Sequence, residues 1–146
     1  LSLANSHEKN KEVNLELTVK FPGNLRVDAE YGPFTIATNQ DGTAPPPFAL
    51  FLASIGTCAG IYVLSFCKQR GIPTEGLEIV QNMDTDPLTH MIKKVTLDIN
   101  LPEGFPEKYK EVVIRAADQC AVKKHMQAPP EFEINANTRQ IAPVFA

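Results

Sequence analysis

The sequence has no excess of basic residues: 14 lysines and arginines stand against 17 aspartates and glutamates, a net charge of −3. Nucleic acid or an anionic membrane surface would ordinarily be met by a basic excess, so neither is an expected partner. Cysteine is scarce, three in 146 residues, and no two are spaced C-x-x-C. An odd count without that spacing argues against a secreted disulfide framework and against structural zinc, and no other cofactor is called for. The opening LSLANSHEKNKEVNL lacks a basic segment followed by a continuous apolar run, so no secretory leader is expected. The cytoplasm is the expected compartment. No repeat or low-complexity tract interrupts the chain.

What is present fits one globular domain. Apolar residues make up 43% and charged residues 21%, and the length allows one core. Residues 1–11 read as a flexible tail and 12–146 as a single domain. EVNLELTVKF (12–21) alternates, putting Val13, Leu15, Leu17, Val19 and Phe21 on one face of a half-buried strand. PGN and YG then turn the chain through LRVDAEY and PFTIAT, an antiparallel meander. NQDGTAPPP (39–47) is a loop, and Pro47 opens a helix that ends at CKQRGIP. There Lys68 and Arg70 meet the negative end of the helix, Gly71 caps it and Pro73 forbids continuation. LEIVQNM and KKVTLDINL are further strands. FPEKYKEVVIRAADQC is an amphipathic helix, QCAVKKHM a short helix or its continuation, and PPEFEINANT a last strand with Phe132 and Ile134 inward. The order predicts an α+β fold with antiparallel strands around a long buried central helix.

That helix carries FALFLASIGTCAGIYVLSFC (48–67), long enough and uncharged enough for a membrane span. Six polar or special residues within it, and soluble patterning on both sides, make it a core helix instead. At 100° per residue, Ala49, Ala53, Gly56, Gly60 and Cys67 share one side, where small residues allow a close neighbour. Cys58 lies opposite, with Phe51, Ser54, Tyr62 and Ser65. Cys58 and Cys67 are about 13 Å apart along the axis, beyond the roughly 7 Å Cα separation a disulfide allows. Cys120 follows Asp118, a candidate N-cap, and precedes Lys123, Lys124 and His125, which favours a thiolate there. Cys67 reads as a core thiol. For Cys58 and Cys120, a structural role and a redox role both stay open on the residues alone.

APPPFALFLASIGTCAGIYVLSFCKQRGIP together with AADQCAVKKHM resembles the OsmC/Ohr family over nearly the whole domain. The pairing of P-x-x-x-FLAS-x-G-x-C with a later A-x-x-C-x-V carries the likeness. The resemblance implies an OsmC/Ohr-like fold in an intertwined homodimer with sites at the subunit interface. It also implies reduction of organic hydroperoxides, an antioxidant role in oxidative stress. Cys58 would attack the hydroperoxide and become a sulfenic acid; Cys120 would condense with it, and a dithiol would reduce the disulfide. Local charge alone would instead nominate Cys120 as the better thiolate.

One departure bears on activity. The peroxidase members carry a glutamate ten or nine residues before the first cysteine, where this chain has Phe48 and Ala49. Losing such a charge-assisted contact costs about 1.5–3 kcal/mol, or roughly ten- to a hundred-fold in rate, so a weak activity is expected. Asn24 stands about where the family has an arginine, and Arg26 lies two residues on. Arg26, Tyr62 and His125 are the supporting candidates; His90 reads as a solvated residue. The alternative is a non-enzymatic paralogue whose pocket, with Phe48 and Phe51, binds a hydrophobic small molecule.

Overall fold

The computed structural model describes residues 15–140, so the expected tail at 1–11 and Val13 lie outside the described residues. The chain divides into two compact units, Leu1–Leu52 and Ala53–Ala146. In the first, β1 (Thr18–Gly23), β2 (Arg26–Tyr31) and β3 (Phe34–Asn39) form an antiparallel sheet in the order β1-β2-β3. Gly32 joins β2 to β3 at φ 53°, the positive φ that a two-residue hairpin demands. Val19 pairs with Ala29, Ala29 with Ile36, and Tyr31 with Phe34, so these side chains share one face.

That face is apolar and open. Val19 is 54% exposed and Phe34 66%, and Leu15, Leu17 and Phe21 are exposed as well. The half-buried strand expected at 12–21 is therefore corrected: β1 begins at Thr18, and the apolar side of its alternation is exposed among the described residues. Alternation decides which side chains share a face, not what lies over them.

In the second unit, α1 (Pro47–Gln69, begun in the first) packs with β4 (Glu78–Thr85), β5 (Ile92–Asn100), α2 (Lys110–Ala117) and α3 (Ala121–Gln127). β4 and β5 are antiparallel, with Ile79 opposite Ile99 and Gln81 opposite Leu97. A single 3₁₀ turn, Glu107–Tyr109, leads into α2. The core gathers Ala59, Val63, Phe66 and Cys67 of α1 with Val113 and Ala117 of α2 and with Cys120. α1 ends as the sequence predicts. Gly71 adopts φ 63°, and the Ile72 amide donates to the Cys67 carbonyl at 2.9 Å.

The small-residue side of α1 receives β4. A Cβ added to Gly56 would sit 2.7 Å from Gln81 Oε1, and one on Gly60 would sit 3.8 Å from Ile79 Cδ1. Beside this approach runs a groove of about 410 Å³ lined by Ala53, Gly56, Thr57, Gly60, Ile79 and Gln81, among others.

α1 is buried along one stripe, and Ile61 stands 53% exposed. The strand expected in PPEFEINANT is corrected. No strand forms within 128–140, where Phe132 is 85% and Ile134 93% exposed. An alternating segment becomes a strand only beside an edge that pairs with it, and none of the described strands pairs with it.

Candidate functional site: two thiols at the start of a short helix

Two elements bring Cys58 and Cys120 together. Cys58 is on α1, one turn after the buried Ile55, so the two lie on neighbouring parts of one helix surface. Cys120 sits where the chain breaks between α2 and α3. The Asp118 amide closes α2 onto the Ile114 carbonyl at 3.1 Å. Cys120 then turns extended, with φ −47° and ψ 118°, and α3 starts in a new direction. QCAVKKHM is thus a separate helix, not a continuation of α2.

Cys120, not Asp118, is the N-cap of α3. Its sulfur accepts from the Lys123 amide at 3.4 Å and donates to the Ile55 carbonyl at 3.7 Å, and the residue is 2% exposed. Asp118 instead forms an ion pair with the Lys123 ammonium group.

Cys58 is half-buried, and the groups that act on its thiol are the Val122 amide, the Cys120 side chain and the Ala121 amide. The Val122 amide is the largest influence, and together these donors hold the Cys58 thiol below its ordinary pKa against the opposing effect of burial. The start of α3, assigned by sequence to a Cys120 thiolate, therefore serves Cys58. A residue deep in its own helix can thus be acted on by the beginning of another.

His125 is exposed, and its Nδ1 lies 2.7 Å from the Ala121 carbonyl, an acceptor, so that nitrogen carries the proton. Tyr62, one turn beyond Cys58, is 37% exposed. Arg26 belongs to the first unit, where Asp28 grips its guanidinium: Nε lies 3.0 and 2.9 Å from the two carboxylate oxygens and Nη2 2.8 Å from Oδ2. This contact, a hydrogen bond first and a charge attraction second in effect, raises the Arg26 pKa. The same hydrogen bond, followed by the opposing effect of burial, brings Asp28 below the usual carboxylate pKa overall. Phe48 and Phe51 stack with ring centroids 5.6 Å apart in the opening turns of α1, both largely exposed. Cys67 is in the core, where burial pushes its thiol up and Arg70 opposes the shift.

Sequence reasoning missed Asp28, the Ile55 carbonyl and the amides of Ala121 and Val122. Asp28 was within reach of it, since residues two apart in a strand share a face. Backbone donors and acceptors have no signature in residue type.

The match with known proteins bears on this arrangement. Residues 40–135 match the family model described as OsmC-like protein, a span that includes both thiols. The chain belongs to the OsmC-like family. Solved structures with the same fold include a hypothetical protein from Aquifex aeolicus VF5, 16% identical, covering 80% of this chain and 89% of that one, with a TM-score of 0.66. The OsmC-like protein from Mycoplasma pneumoniae is 14% identical over 82% of this chain and 91% of that one, with a TM-score of 0.61. The organic hydroperoxide resistance protein OhrB of Bacillus subtilis is 18% identical over 80% and 93%, with a TM-score of 0.50. No curated protein matches the sequence. The OsmC-like fold accounts for the antiparallel strands and the long central helix.

Proposed function

We propose that this OsmC-like protein is a cytoplasmic, thiol-dependent reductase of organic hydroperoxides, with Cys58 as the attacking thiolate and Cys120 as the resolving thiol. The observation that carries the reading is a pair of free thiols at the start of α3, with Cys120 donating to the Ile55 carbonyl one turn before Cys58, and Cys58 held toward its thiolate by the Val122 amide above all. The Cys58 thiolate attacks the outer peroxide oxygen. The O–O bond breaks, an alcohol leaves with a proton, and Cys58 becomes a sulfenic acid. Cys120 then displaces water to give the disulfide, and a dithiol returns both residues to thiols while becoming a disulfide itself. Phe48 and Ala49 bring no carboxylate to their positions, so the thiolate relies on backbone amides and the rate is modest.

The protein acts as a homodimer in this reading. The open apolar face of the β1–β3 sheet supports it, and so does the burial of only 28% of the most apolar stretch of α1. A second copy offers the same uncovered surfaces in return.

The test is to incubate purified protein with cumene hydroperoxide and count hydrogens by mass. Loss of two hydrogens localised to Cys58 and Cys120, restored by a dithiol, is the expected result; thiols that stay intact rule the enzyme out.

A second reading has its own observation. The stacked, exposed Phe48 and Phe51 offer an apolar platform to a hydrophobic small molecule in a family member without peroxidase activity. Native mass spectrometry separates the two: a co-purified apolar ligand with inert thiols favours this one.

A further inference from the structure

Cys120 has two jobs that cannot be held at once. As a thiol it is the N-cap of α3, accepting the Lys123 amide and donating to the Ile55 carbonyl. As the resolving residue of the proposed reaction, the same sulfur must turn to bond the sulfur of Cys58. A disulfide sulfur has no hydrogen left to donate to Ile55, and it is a poor acceptor for an amide. The other partner loses its role in the same step. The Val122 and Ala121 amides favour the Cys58 thiolate, and a neutral disulfide sulfur attracts them far less well than a thiolate does.

Little else holds α3 in place. It is seven residues long with no buried residue, its Val122 is only partly covered, and the residues that follow, 128–140, are exposed and irregular. A helix this short depends on its contacts rather than on its own propensity.

From this we infer that α3 is a redox-released latch: forming the Cys58–Cys120 disulfide uncaps the helix and frees it from α1. The inference rests on the thiol-pair reading above and adds the route by which the site is reduced. In the thiol state Cys120 is 2% exposed, so an incoming dithiol has no approach to its sulfur. Release of α3 uncovers the disulfide only after it has formed, and reduction reseats the helix. Release of the helix thereby opens the Cys120 sulfur of the disulfide to an incoming thiolate, beside the already half-buried Cys58. Electrons balance in each half: two leave the thiols as the disulfide forms, and two return from the dithiol.

The experiment uses diamide rather than a hydroperoxide, so disulfide formation is separated from peroxidase activity. Hydrogen–deuterium exchange is followed in peptides spanning 121–127, in thiol and oxidised full-length protein. Loss of the cap and its neighbours should accelerate exchange there roughly tenfold, with β4 and β5 unchanged. Cys120→Ser keeps a good capping group and makes no disulfide, so its α3 should stay protected in diamide. Cys120→Ala removes the cap in the absence of oxidant and should exchange fast from the start. A disulfide that forms while α3 stays protected overturns the latch and leaves the thiol-pair reading standing. A pair that does not form at all overturns both.

Discussion

The sulfur of Cys120 lies 3.7 Å from the carbonyl oxygen of Ile55, one helical turn before Cys58. That contact fixes the junction between α2 and α3 against α1, and it delivers the second thiol to the first. Position is set by backbone atoms on both sides: a carbonyl of α1 for Cys120, and amides of α3 for Cys58. No charged side chain has to be aligned for the pair to meet.

The two cysteines should therefore fail in different ways. Cys58→Ser should reduce consumption of cumene hydroperoxide to the background rate, because a hydroxyl has almost no anion at neutral pH. Cys120→Ser should still consume one equivalent and then stop, leaving a sulfenic acid at Cys58 that dimedone labels. Mass spectrometry of the labelled peptide checks this. Dimedone on residue 120 in the Cys58→Ser variant would reverse the assignment.

Cys67 should stand apart from this chemistry. Its thiol is in the core, 1% exposed, and burial opposes its ionisation. Cys67→Ala should leave hydroperoxide consumption unchanged and lower the unfolding free energy by about 1–2 kcal/mol, for the small cavity left. Urea unfolding with a parallel activity assay measures both. Lost activity at full stability would bring the third thiol into the reaction.

Much of this was readable in the residues because it follows from local rules. β2, β3 and β5 fall where apolar and polar residues largely alternate, and α1 stops at Lys68, Gly71 and Pro73 as its end signals require. What could not be read depends on partners. Among the described residues, Phe132 and Ile134 have strand spacing but no edge to join, and Leu17 and Val19 have a face but no cover. The capping role of Cys120 depends on one backbone turn, its ψ of 118°, which no side chain announces.

The exposed sheet face makes the proposed dimer testable by charge. Phe34, 66% exposed in the single chain, sits opposite Tyr31 on that face. Covering a phenylalanine is worth about 1.5–3 kcal/mol, and a two-fold axis counts it twice. Phe34→Glu should therefore weaken association at least about a hundred-fold, while each protomer keeps its stability within about 0.5 kcal/mol. Sedimentation velocity across a dilution series gives the first number, and thermal melting of the dissociated protein the second. An unchanged dimer places the interface elsewhere.

Ala121→Pro separates the stability of α3 from its effect on Cys58. Ala121 is the first residue of α3, where proline is favoured, and the extended Cys120 before it suits a following proline. The substitution should add about 0.4–1 kcal/mol by restricting the unfolded chain. It also deletes one amide that donates to the Cys58 sulfur. Folding lowers the Cys58 pKa, so its contribution to stability is fully present above the ordinary thiol pKa and is lost as pH falls through the folded value. The variant narrows that window from below. Alkylation of Cys58 by iodoacetamide, followed by mass against pH, should show the midpoint moving up toward that of an ordinary thiol, with α3 as well formed as before. A midpoint that stays put in a well-folded variant would mean that the amide of residue 121 does not hold the thiolate, leaving that work to Val122 and Cys120.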